Sequence, residues 1–124
     1  MNLFQLENGT VTIPVDCTTD CKLTAGITMI RPNSTDAAKE KHVPKVQVDG
    51  NRISVNVGEV THPMSEEHLI TTVILETKNG GQFKRLSPDH EPIAEFILSE
   101  DDQPIEVYAY CNLHGMWSIK LSQV

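Results

Sequence analysis

The sequence predicts an all-β protein: an immunoglobulin-like antiparallel β-sandwich of about seven strands with a short N-terminal extension. Three observations carry that expectation. Apolar residues recur with the period of two that a half-buried strand needs, not the 3.6 of a helix. Turn-forming Gly, Asn and Asp residues interrupt these stretches at short intervals. No segment sustains a helical apolar stripe long enough to compete.

The elements follow in order. Val11, Ile13 and Val15 alternate with polar residues and read as one strand within a less regular leader, residues 1–32. Ser34-Thr35-Asp36 offers a cap for a brief helical turn through Lys41. Val46 and Val48 run into Asp49-Gly50-Asn51, with Ile53, Val55 and Val57 beyond, which is a strong hairpin signal. Residues 68–77 are rich in Ile, Leu, Val and Thr, and Asn79-Gly80-Gly81 supplies the next turn. Ile93 to Leu98 form another strand, bounded by Pro92 and by Glu100-Asp101-Asp102. Ile105, Val107 and Ala109 alternate towards Cys111, and Trp117, Ile119 and Leu121 alternate away from it.

The net charge of -7, with no Lys/Arg cluster to offset it, argues against nucleic acid and anionic membrane surfaces as partners. Met1 to Gly9 has neither the basic start nor the apolar run of a secretory signal, so none is expected. No stretch reaches the ~18 apolar residues that cross a bilayer. Three cysteines, an odd number, suit a reducing compartment, and the expected location is the cytoplasm.

The chemistry concentrates in five side chains: His42, His62, His68, Cys111 and His114. Neutral imidazole and thiolate are the ligands that iron, zinc and copper favour. Cys111-Asn112-Leu113-His114 can present a sulfur and a nitrogen from one tight loop, although alone it reads equally as a buried cysteine beside a surface histidine. Backbone N–H groups of that loop are expected to donate to the thiolate. Pro63 restricts His62 from the following position, and His68 lies six residues beyond His62. His42 falls in Glu40-Lys41-His42-Val43-Pro44, which alone reads as a solvated charged loop. On this reading all five lie in loops or at strand ends. His90, in Asp89-His90-Glu91-Pro92, reads as a surface residue.

Taken together, Glu40-Lys41-His42-Val43-Pro44, then His62-Pro63-Met64 with His68, then Cys111-Asn112 with His114-Gly115 and Trp117 resemble the superoxide reductases, the desulfoferrodoxins and neelaredoxins. The resemblance covers residues 36–124, including Asp36-Ala37-Ala38. It implies one mononuclear non-haem iron per chain, cycling between Fe2+ and Fe3+, with His42, His62, His68 and His114 equatorial and Cys111 axial. The activity it implies is reduction of superoxide to hydrogen peroxide. Glu40 matches the carboxylate that closes the position opposite the thiolate in the ferric state, and Lys41 matches the positive residue beside that position. Rubredoxin is the implied electron donor, and a homo-oligomer, dimer or tetramer, the implied assembly.

The resemblance also divides the chain into residues 1–35 and 36–124. Two-iron members carry four N-terminal cysteines, whereas this sequence has Cys17 and Cys21 alone there. Residues 1–35 are therefore expected to be a degenerate segment without metal. Two other readings of the same ligands are a structural zinc-binding interaction module and an iron-based redox sensor. Zinc in structural sites usually takes four ligands, fewer than the five here. A sensor needs a partner domain, and no linker to one is visible.

Overall fold

A computed structural model of the chain describes residues 1–16 and 26–124, so Cys17 and Cys21 lie outside the described residues. The chain divides into two compact units, Met1–Arg31 and Pro32–Val124.

The first unit holds a small antiparallel sheet in which β1 (Phe4–Leu6) lies between β2 (Val11–Thr12) and β3 (Ile27–Met29). The strand expected over Val11 to Val15 stops at Thr12. Pro14 carries no N–H to donate to a ladder, and Val15 is fully exposed.

The second unit carries α1 (Lys39–His42), β4 (Pro44–Asp49), β5 (Arg52–Val57), β6 (Ile70–Thr77), β7 (Gly80–Arg85), β8 (Ile93–Ile97), β9 (Pro104–Cys111) and β10 (Gly115–Lys120), then a 3-10 turn over Leu121–Gln123. Its strands form two antiparallel sheets, ordered β10-β9-β6-β7 and β4-β5-β8. This is the immunoglobulin-like sandwich that the period-two pattern predicts. Ile53, Val55 and Val57 of β5, with Ala94 and Phe96 of β8, bury against Val73 and Leu75 of β6 and Val107, Ala109 and Cys111 of β9. The polar residues between them face away from the core, as a pleated strand requires.

The β4–β5 hairpin turns through Gly50 and Asn51, with Gly50 at φ 59, a left-handed conformation that favours glycine at the first central position. The next turn sits one residue earlier than expected. Thr77 pairs with Gly80 and Glu76 with Gly81, so Lys78 and Asn79 make the turn and both glycines belong to β7. The acidic loop before β9 holds it there: the backbone N–H of Asn79 donates to Asp102 Oδ1 at 3.0 Å. Ile105 departs from the alternation because a register shift between Glu76 and Thr77 leaves it opposite no residue of β6, and it stays exposed.

The helical turn is also displaced. It begins at Lys39, after Ala38, and no side chain caps it, so Ser34-Thr35-Asp36 is not its cap. Asn33 explains why. Its backbone N–H donates to Met116 O at 2.9 Å, its side-chain oxygen accepts from Ser118 N–H at 2.9 Å, and its amide donates to Ser118 O at 3.3 Å. The segment after Pro32 is thus tied to β10 before the helix can start, and the compact unit begins four residues before the boundary expected at 36.

Candidate metal centre

The pairings of Pro44 with Val57, Ile70 with Cys111 and Cys111 with Gly115 bring the end of α1, the ends of β5 and β9 and the starts of β6 and β10 to one end of the sandwich. Each candidate ligand occupies one of these junctions. His42 is the last residue of α1, not a loop residue as expected. Its placement depends on Gly58, whose φ is 89 and where a Cβ would stand 2.3 Å from Val60 O and 2.6 Å from Lys41 O. Only glycine lets the backbone after β5 approach α1 this closely, and Val60 N–H donates to Glu40 O across the gap at 2.8 Å. His62 follows, its N–H bonded to Val57 O at 3.1 Å. His68 precedes β6, where a register shift between Ile70 and Thr72 sets Ile70 opposite Cys111. His114 sits in the tight β9–β10 turn, which Gly115 closes with φ 77.

The four imidazoles form a closed ring. Neighbouring centroids lie 4.7 Å apart for His42–His62, 4.6 Å for His62–His68, 5.1 Å for His68–His114 and 4.9 Å for His114–His42. Each ring stands at 75 to 90° to the next. His42 and His62 place Nδ1 against a backbone carbonyl, Ala38 O and Pro63 O, each at 2.7 Å. A carbonyl oxygen only accepts, so Nδ1 carries the proton and the neutral ring turns a bare Nε2 inward. Those two Nε2 atoms are 3.2 Å apart, and His114 Nδ1 is 3.1 Å from that of His42. The two Nε2 lone pairs of His42 and His62, facing at 3.2 Å, repel unless a cation is shared by them.

One ligand atom each from His42, His62, His68 and Cys111 lies within 4.8 Å of the others. His114 adjoins that group through its contact with His42 and through Nδ1, 3.8 Å from Cys111 Sγ. His68 Nε2 is buried with no hydrogen-bond partner, an orphan that costs roughly 1–3 kcal/mol unless something binds it. Cys111 is fully buried and free. The expected donation from the loop to its sulfur is not what the structure shows for Asn112, whose N–H goes to Leu69 O at 3.2 Å.

Burial lowers the pKa of His62 to about 4, opposed in part by the Pro63 carbonyl and reinforced by the other three imidazoles. Burial likewise lowers that of His68, with help from His114, His42 and the charge of Lys41. Both rings are therefore neutral at neutral pH, which is the form that coordinates metal. Four nitrogens and one sulfur are a donor set suited to iron, zinc or copper, and this cluster fits such an ion.

The remaining candidates are distributed more widely. Lys41 is exposed, and its charge reaches His68. Glu40 is exposed and lines a cleft of about 610 Å³ together with Lys39, Lys45 and Glu59. His90 is exposed and bonded to Ser87 Oγ at 2.5 Å, a surface histidine. Sequence reasoning missed Gly58, for which a glycine following a strand is the available signal. It also gave Trp117 no role of its own. The indole stacks on His42 at 4.9 Å and donates to His114 O at 3.0 Å, holding two candidate ligands at once.

Comparison with known proteins decides the family. The desulfoferrodoxin family profile matches residues 34–120, which include all five clustered side chains with Glu40 and Lys41. The chain belongs to the desulfoferrodoxin family. A desulfoferrodoxin of Clostridium acetobutylicum is 47% identical over 85 residues, 68% of this chain and 66% of that protein, so the match spans just under two thirds of that relative. The crystal structure of the superoxide reductase from Treponema pallidum is similar over 95% of this chain and 98% of its own, with a TM-score of 0.77 and 39% identity. A superoxide reductase (1Fe-SOR) of Giardia intestinalis is similar over 67% of this chain and all of its own, with a TM-score of 0.55 and 33% identity.

Proposed function

We propose that the chain is a superoxide reductase, converting superoxide, one electron and two protons into hydrogen peroxide at a single iron. The closed ring of four imidazoles beside a buried thiol carries this reading. His42, His62, His68 and His114 would hold the iron with Cys111. When bound, it supplies the electron by passing from Fe2+ to Fe3+, under the electron donation of the thiolate.

The protein's part is preorganisation and charge. The Ala38 and Pro63 carbonyls fix the tautomers of His42 and His62, and Trp117 fixes the His42 plane and the His114 backbone. Lys41 raises the local potential for an anionic substrate in a chain whose net charge of -7 repels one at long range. On this reading it also orients a water that delivers a proton to the reduced substrate. Glu40 serves as the carboxylate that displaces product, which requires its exposed side chain to turn towards the ring.

The same reading assigns rubredoxin or a similar small protein as electron donor, a dimer or tetramer as the assembly and the cytoplasm as the location. No described helix is long and apolar enough to cross a membrane. It assigns residues 1–35 as a segment without metal, since two cysteines cannot supply four thiolates.

Metal analysis with a visible spectrum tests the proposal. One iron per chain and a thiolate-to-ferric band after oxidation are expected, and Cys111→Ser should abolish the band. Colourless protein stoichiometric in zinc, even from iron-replete cells, would sink it.

A further inference from the structure

His68 differs from its neighbours. His42 and His62 are oriented by hydrogen bonds on their own rings, whereas among the described residues His68 Nε2 is buried without a hydrogen-bond partner. Its backbone is held instead. Asn112 Oδ1 accepts from Leu69 N–H at 3.0 Å, Asn112 Nδ2 donates to Glu67 O at 3.0 Å, and Asn112 N–H donates to Leu69 O at 3.2 Å. All three bonds reach the residues on either side of His68, and Asn112 directly follows Cys111. The N–H of His68 itself donates to Ser65 Oγ at 3.1 Å, and Ile70 N–H donates to Met64 Sδ at 3.4 Å. The polypeptide from 67 to 70 is thus saturated with contacts, and Asn112 ties it to the thiol-bearing loop through two side-chain bonds beside one backbone bond.

We propose that Asn112 is a positioning residue that sets His68 in register with Cys111, so that the imidazole and the sulfur reach one metal ion together. This rests on the proposed reading of the five side chains as ligands. Outer contacts that orient a ligand typically change metal affinity by about 10- to 100-fold when removed. Asn112→Ala deletes both side-chain bonds and leaves the backbone bond to Leu69. Asn112→Asp keeps the acceptor for Leu69 N–H and loses the donor to Glu67.

The test is titration of the metal-free full chain with Co2+, reading the dissociation constant and the sulfur-to-cobalt absorption band. Asn112→Ala should weaken binding about tenfold or more and shift the band, with Asn112→Asp between it and the parent. In a His68→Ala background the same substitution should add little, because the residue it positions is gone. Asn79→Ala, which deletes a side-chain hydrogen bond in the distant β6–β7 turn, should leave affinity and band unchanged. Parental affinity and band in Asn112→Ala, or an equal loss in the His68→Ala background, would overturn the proposal and spare the reading of the site. A parent chain that binds Co2+ without any sulfur band would overturn both.

Discussion

Acid should unfold the metal-free protein through His62 before its carboxylates titrate. The ring is 1% exposed and has a pKa of about 4 in the folded state, against 6.5 for a free side chain, with burial as the main cause. A lowered folded value means that the unfolded chain takes up the proton first as pH falls. The stability held by the neutral ring is complete above about pH 6.5 and is lost progressively down to about pH 4. At about pH 5 the loss from this residue is about 2 kcal/mol, and near pH 4 it approaches 3 kcal/mol. His68 shifts in the same direction and adds to it. The assay is urea unfolding of metal-free protein at about pH 7.5 and pH 5, for the parent and for His62→Asn. The parent should lose at least 2 kcal/mol over that interval, and the variant about 2 kcal/mol less than the parent. Equal losses in the two proteins would refute the reasoning, because the pH dependence would then come from groups outside the ring.

Three further outcomes are expected. Gly58→Ala places a Cβ 2.3 Å from Val60 O in a left-handed conformation, and should cost more than about 2 kcal/mol in urea unfolding and lower metal affinity as α1 is pushed away. Lys41→Ala should keep the visible spectrum of the iron form and slow its reaction with superoxide most at low ionic strength; an unchanged rate there removes Lys41 from the mechanism. Glu40→Ala should leave that first step nearly intact and alter the ferric spectrum, whereas an unaltered spectrum would mean the carboxylate stays in its cleft.

Much of this molecule was legible in its sequence. The strands β5 and β9 follow from apolar residues at every second position and β8 from an apolar run bounded by Pro92, and the sandwich follows from the number of such strands. The five candidate ligands were legible because His and Cys residues in a small chain stand out by type, and their spacing places them beside turns. The displaced turn and the displaced helix share one cause: a contact with a distant segment overrode a local signal. Asp102 draws the β6–β7 turn onto Asn79 instead of Gly80, and Asn33 ties the helix approach to β10. The residues that organise the site were hidden for the same reason. Asn112 resembles any turn residue until its partners at 67 and 69 are seen, and Gly58 resembles any glycine until the carbonyls of Val60 and Lys41 appear beside its Cα. Ligand chemistry is a property of residue type, whereas ligand orientation belongs to the folded neighbourhood.

An iron held by this ring of imidazoles and its thiol is expected to reduce superoxide without regenerating oxygen. Rapid mixing of the ferrous protein with superoxide, followed by assay of both products in the presence of a reductant, tests it directly. The account predicts one hydrogen peroxide for each superoxide consumed, repeated turnover and no oxygen released. Oxygen appearing in equal amount with peroxide, or a single oxidation that the reductant does not reverse, would contradict it.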